Sequence, residues 1–230
     1  MQQLQNFKSV IMPKIIRFII CTIFMAGFAY TASSQAAYNN EIKQVAVLLY
    51  NSFSKMQNIS GRLDFNDTSR LKWNNLPVGL RARVGTSIGN MTDEQRKLVH
   101  RILSVSLSSQ GYLKATSIMH LDDLLNRYYD SLFYKKEIND TTYAFVRSLL
   151  WSHKNYYFAF FGQPTDRIWG YKLEGHHLSV NFTFVNDKLS VTPFFIGTDP
   201  AEYQNSEYAG WRVLGQEEDD EGTEEDQARL

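Results

Sequence analysis

The stretch that decides the fold is Trp169-Gly-Tyr-Lys-Leu-Glu-Gly-His-His-Leu-Ser-Val-Asn-Phe-Thr-Phe184. Apolar and polar residues alternate along it with the period of two that a β-strand requires. Yet Glu174, His176 and His177 sit together where a plain strand carries Val or Thr. The alternation predicts one long strand over Trp169–Val185. On such a strand Glu174, His176, Leu178, Val180, Phe182 and Phe184 share one face, apolar except at its start, which should meet the core. Leu173, His177, Ser179, Asn181 and Thr183 form the other face, which should meet solvent, a groove or a partner. Gly175 qualifies this pattern, because an isolated glycine in a strand marks a bulge or a close backbone approach. A bulge there would turn both histidines to one side.

Working outward, Tyr156–Phe161 and Leu189–Ile196 also read as strands. Asn186-Asp187 suits a tight hairpin turn and Gly162–Arg167 a loop. Upstream the period lengthens to that of a helix. Ile42, Val45, Ala46, Leu48, Leu49 and Phe53 predict a helix over Glu41–Lys55. Leu63–Asn90 is punctuated by Pro77, Gly79, Gly85 and Gly89 and reads as irregular. Thr92-Asp-Glu-Gln95 is a capping box that opens a helix through Leu107, with Gly111 expected as its left-handed terminator. A further helix is predicted from Leu113 to Tyr129, and Asp140–Leu150 fits helix and strand equally. Helices first and strands second give an α+β fold, with N-terminal helices packed on an antiparallel β-meander.

The chain has 230 residues, 43% of them hydrophobic, enough for one domain with a sizeable core. Its 24 basic and 24 acidic residues balance, but they are unevenly placed. Lys8, Lys14 and Arg17 precede an apolar run, Phe18–Tyr30, that gives way to small residues. This is the pattern of a signal peptide over 1–36, cleaved after Ala36, and it predicts a secreted or periplasmic protein. Uncleaved, the segment would be the chain's one contact with a membrane. A single α+β domain is expected over 37–215 and a solvated, mobile acidic tail over 216–230. The middle region holds no basic concentration of the kind nucleic acid requires. Cys21, the sole cysteine, lies in the signal segment. A cysteine-free mature chain excludes disulfides, a cysteine nucleophile and thiolate metal sites. Cofactors are not legible.

Three chemistries suit the Glu-Gly-His-His segment. His176 and His177 with Glu174 would bind a metal if a more distant residue such as His100, His120 or His153 joined them. Glu174 could instead orient His176 as a general base. The plainest role is a hydrogen-bonded core histidine beside an exposed one. Other features are more ordinary. His100 and His120 sit on helices among apolar rows. Arg81-Ala-Arg83 reads as a solvated loop that could hold an anion. The aromatics of Tyr156–Phe161 would need exposure to act as a carbohydrate platform, and they fit a sheet core better. No phosphate-binding loop or nucleophile elbow is present.

Several segments together resemble the secreted family known as domain of unknown function 3500. They are Leu71–Pro77, Met91–Arg96, Gly111–Met119, Tyr157–Phe161, Trp169–Phe182 and Ala209–Gly215. The resemblance covers roughly residues 63–215. It implies no activity, cofactor or catalytic residue, since none is established for the family. It does imply that Glu174, Gly175, His176 and His177 belong to a family motif, with Lys114, Thr116 and Arg212 as candidate ligand-binding neighbours. Family members continue past the Val-Leu-Gly segment, so this chain is expected to be a shortened member or a fragment. The function expected is a ligand-binding or interaction protein for a small ligand or envelope component. The alternative is a hydrolase-like or metal-dependent enzyme using Glu174 and His176 or His177.

Overall fold

The computed structural model describes residues 38–186, 188–205 and 208–213. The expected signal segment and acidic tail lie outside these residues. Contacts divide the chain into two compact units, Met1–Glu41 and Ile42–Leu230. The described part of the first, residues 38–41, is helical. Everything below concerns the second.

Among the described residues five α-helices precede the main strands. Helix α1, described to residue 52, buries Ile42, Ala46 and Leu49, spaced four and three apart on one stripe. Helix α2 (Lys55–Gly61) starts at a capping box on Ser54 and Gln57. Helix α3 (Asp93–Ser106) starts at the predicted box on Thr92 and Gln95. The two box glutamines meet each other inside the protein, Gln57 Nε2 lying 2.9 Å from Gln95 Oε1. Helix α4 (Ser109–Tyr134) begins earlier than its apolar pattern predicts, because the Ser108 hydroxyl accepts from the Gly111 amide and caps it. Gly111 therefore lies in the first turn of α4 instead of terminating α3, whose C-cap is Leu107. Helix α5 (Asp140–Ser148) resolves the ambiguous stretch, capped by Asn139.

The sheet is an antiparallel meander of β3 (Tyr157–Phe161), β4 (Ile168–Gly175), β5 (Leu178–Val185) and β6 (Lys188–Ile196). Two short strands, β1 (Arg62–Leu63) and β2 (Thr86–Ser87), share the free edge of β3, β1 parallel and β2 antiparallel. A separate small hairpin pairs β7 (Glu202–Tyr203) with β8 (Trp211–Arg212). The α+β expectation and the meander hold.

The 169–185 stretch differs from its reading as a single strand. It folds back on itself as the β4–β5 hairpin, with His176-His177 as the two-residue turn. Across it Trp169 pairs with Phe184, Tyr171 with Phe182, and Leu173 with Val180. These residues, with Phe158 and Phe160 of β3, form a buried aromatic face against the helices. There the Tyr171 hydroxyl meets Ser106 of α3, and Tyr50 and Phe53 pack on Phe160. Reversal at the turn changes the parity. Glu174 pairs with Ser179 and Lys172 with Asn181, all on the opposite, polar face. That face is not solvated: Ser179 and Asn181 are 0% and 3% exposed. The irregular segment 64–83 covers it, with the Trp73 ring stacked 4.8 Å from Phe195 and Arg70 reaching Thr183.

Candidate functional site

Glu174 and His176, two residues apart in sequence, serve different networks. Glu174 ends the polar face of β4 as a buried carboxylate. Lys172 Nζ lies 2.7 Å from its Oε2, and Arg83 Nε lies 2.9 Å from its Oε1. The Arg83 Nε–H is not aligned on the oxygen, so this second contact is an ion pair without a hydrogen bond. The Asn74 amide donates to Oε1 at 3.0 Å. Lys172 also donates to the carbonyls of Ser69 and Lys72, at 2.8 and 3.0 Å. Arg83 donates to those of Asn74, Leu76 and Gly175. Every partner belongs to the covering segment or to the strand beneath it. Burial pulls the Arg83 guanidinium below its usual range, while Glu174 holds it up. Two cations and one carboxylate thus fasten an apolar-poor loop onto a polar sheet face.

His176 turns the other way, towards α4. Its Nδ1 lies 2.6 Å from Asp122 Oδ1. The Tyr156 hydroxyl sits 3.0 Å from Asp122 Oδ2 and 2.7 Å from the His176 carbonyl, and one proton serves both acceptors. The three residues are buried. Desolvation raises the Asp122 carboxyl against the opposing pull of His176 and Tyr156, and raises the Tyr156 phenol well above its usual range. Gly175 is required here, because a Cβ would lie 2.3 Å from the Tyr156 ring. The glycine marks a close approach, one of the two outcomes its sequence context allows, and no bulge forms beside it.

His177 takes the left-handed conformation, φ 53°, that reverses the chain. Its amide donates to Asn75 and its carbonyl accepts from Gly197. Its Nδ1 is buried without a partner, and its ring stands edge-on to His176 with centroids 4.3 Å apart. Burial, then the neighbouring His176, lowers its pKa from 6.5 to about 3. Ile118, Leu121, Asp122, Gly197, Thr198 and Asp199 close around the pair and leave no volume for a ligand. The hairpin histidines therefore stand in packed surroundings, with Glu174 directed elsewhere. Among the described residues no three His, Asp or Glu side chains are placed to hold one metal ion.

The other three histidines, two of them read from sequence as ordinary helix residues, converge on one pocket. His100 of α3, Thr116, Met119, His120 and Asp123 of α4, and His153 line an open pocket of about 290 Å³. Thr116, His120 and Asp123 are four and three residues apart, so one face of α4 presents them together. Asp123 follows Asp122 directly, yet the 100° step between helical neighbours turns it into the pocket instead of towards His176. Asp123 Oδ1 accepts from the His153 amide at 3.0 Å and from the Ser152 hydroxyl at 3.1 Å. Its Oδ2 lies 2.5 Å from His153 Nδ1. With Nδ1 so occupied, Nε2 is the ring nitrogen left for a ligand. His100 Nδ1 is likewise tied to the Tyr112 hydroxyl at 3.1 Å. Burial lowers the His100 pKa, and the charge of nearby His153 adds to that effect. The His120 ring rests edge-on against Tyr208 and Trp211.

Of the candidate ligand-binding residues, only Thr116 lines this pocket, and its hydroxyl donates back to the helix carbonyls of Tyr112 and Leu113. Lys114 is half-buried on α4 outside the lining. Arg212 pairs with Glu202 at 2.8 Å across the β7–β8 hairpin. Sequence inspection passed over Asp123 altogether. The signal that identifies it is the Thr116–His120–Asp123 spacing, which places three hydrogen-bonding groups on one stripe of a helix otherwise read for its apolar side.

Residues 35–223 match the protein family described as protein of unknown function (DUF3500). No curated protein and no solved structure matches the chain.

Proposed function

The chain belongs to the DUF3500 family, whose function is unknown, and we propose that it is an exported binding protein whose small polar ligand sits in the histidine pocket. One observation carries this reading: three imidazoles, the Asp123 carboxylate and the Thr116 hydroxyl border an open concavity of about 290 Å³. The hairpin donors, by contrast, are enclosed. A few convergent polar groups in a concave site are what small-molecule recognition requires. The Asp123 carboxylate fixes the His153 proton on Nδ1, so its neutral ring offers Nε2 as an acceptor, whereas His100, anchored on a hydroxyl, offers Nε2 as donor or acceptor according to tautomer. The ligand that suits them is small and carries both a hydrogen-bond donor and an acceptor.

The test is ring-selective NMR of ¹⁵N-histidine protein titrated with a panel of amino acids, hydroxy acids and amides. A true ligand shifts the His100, His120 and His153 ring signals, leaves those of His176 and His177 in place, and loses affinity in Asp123→Asn. A panel in which every binder spares the three pocket rings would overturn the reading. The export component rests on the N-terminal pattern and is checked by sequencing the mature N-terminus of secreted protein, expected at Ala37.

A second reading is favoured by the short Asp123–His153 contact alone. A carboxylate that fixes an imidazole through Nδ1 prepares Nε2 to accept a proton. His153 would then act as a general base on a bound substrate, an acid–base role moved away from Glu174 and His176. Turnover of a panel ester or amide that is lost in His153→Gln while the ligand still binds would distinguish it from binding alone.

A further inference from the structure

Past the histidine pocket, α4 runs along a second and larger concavity of about 440 Å³, walled on its other side by the β7–β8 hairpin. Arg127, Tyr128 and Ser131 come from the helix and Lys135 from its C-cap; Tyr203 and Tyr208 come from the hairpin, with Asn205 between them in sequence. Among the described residues no carboxylate lines it. Arg127 and Lys135 are exposed, and neither has an acidic partner among the described residues. Tyr203 is buried in a cluster with Leu121, Leu124 and Leu125, against which Tyr208 packs, so the aromatic floor is fixed from beneath. Burial raises the Tyr203 phenol, and the charge of Arg127 opposes that rise.

We propose that this pocket binds an acidic sugar, a uronate or sulfated saccharide of one or two units. Its volume falls within the range of about 300–1,000 Å³ typical of small-ligand sites. Arg127 and Lys135 are eight residues apart, roughly 12 Å along the helix axis. Two cations so separated do not form a tight cradle for one compact anion. They suit a longer ligand carrying an acidic group at one or both ends, with Ser131 and Asn205 able to bond hydroxyls between them. Flat aromatic rings beneath such a ligand match the apolar C–H faces of a pyranose and would do nothing for a bare phosphate. Arg127 supplies a planar fork for a carboxylate or sulfate, and Lys135 a point charge. The site shares no lining residue with the histidine pocket, although its Tyr208 ring touches the ring of His120.

Calorimetric titration of the whole protein with digalacturonate, a sulfated disaccharide, lactose and inorganic phosphate tests the proposal. An acidic disaccharide should bind at least tenfold more tightly than lactose and phosphate, and more weakly as salt rises. Arg127→Gln and Lys135→Gln should each weaken it about tenfold, the loss of one charge-assisted hydrogen bond. Both residues are exposed, so the variants should fold as the parent does, and circular dichroism checks this. Lys97→Gln, a charge change on a distant exposed lysine, should leave affinity unaltered. Equal affinity for lactose, equal affinity for phosphate, absence of binding by both acidic sugars, or indifference to Arg127→Gln with Lys135→Gln would each overturn it. The histidine-ring titration reports on the other pocket, so failure of one proposal leaves the other standing.

Discussion

Glu174→Gln is the substitution that weighs most on the fold. The change keeps the shape and removes a charge. Glu174 is buried between Arg83 and Lys172, whose side chains are each 2% exposed. With the carboxylate intact the cluster carries one net positive charge; without it, two. Removing one partner of a buried ion pair costs roughly 3–5 kcal/mol, because an uncompensated charge stays behind. Backbone carbonyls from Ser69, Lys72, Asn74, Leu76 and Gly175 still solvate the two cations. They place the expected loss at the lower end, about 3 kcal/mol, which in a domain of this size lowers Tm by about 6–12 °C. Lys172→Met should cost less, since it leaves a neutral Arg83–Glu174 pair. The double variant should lose about 1–3 kcal/mol less than the sum of the two. Urea denaturation with linear extrapolation measures all three, provided the slopes agree. A Glu174→Gln protein within 0.5 kcal/mol of its parent, or strictly additive losses, would refute the account. If stability held while ligand binding vanished, Glu174 would be a functional carboxylate after all.

Two further outcomes follow from the hairpin. His177 ionises near 3 in the fold against 6.5 ordinarily, so the unfolded chain binds the extra proton between those values. Its contribution is fully present above pH 6.5 and is lost as pH falls towards 3, amounting to about 2 kcal/mol by pH 5. His177→Asn keeps a residue that tolerates positive φ and should flatten the pH 7 to pH 5 stability difference by that amount; parallel pH profiles would contradict it. Gly175→Ala places a methyl group against the buried Tyr156 ring, which two hydrogen bonds hold in position. It should cost about 2–3 kcal/mol by overpacking, read as a fall in the urea midpoint, and an unchanged midpoint would show that the ring gives way freely.

The meander, the Thr92–Gln95 cap and the covering role of the helices were legible because each rests on local pattern. The hairpin turn was not, because His176-His177 carries none of the Gly, Asn or Asp signals that mark two-residue turns. A subtler sign was present. Trp169, Tyr171 and Leu173 mirror Phe184, Phe182 and Val180 about the histidine pair, and a seventeen-residue strand exceeds the common length of about five to six. Alternation counted straight through such a mirror assigns every residue beyond it to the wrong face. That error set Glu174 beside Leu178 when it faces Ser179. The histidine pocket was hidden for another reason. His100, Asp123 and His153 are distant in sequence and meet only through tertiary packing, which no single periodicity encodes. Among them only the stripe on α4 was available to sequence.

Asp122 and Asp123 are chemically identical neighbours, one enclosed with His176 and Tyr156 and the other open to a pocket. The residues of α4 that sustain the interior, Ile118, Leu121, Asp122 and Leu125, interleave with Thr116, His120 and Asp123, and Met119 is both buried and part of the pocket wall. A single helix thus keeps two vocabularies, one for remaining folded and one for what the concavity presents. Substitution on the pocket stripe can therefore change what the concavity presents while leaving the buried stripe largely intact.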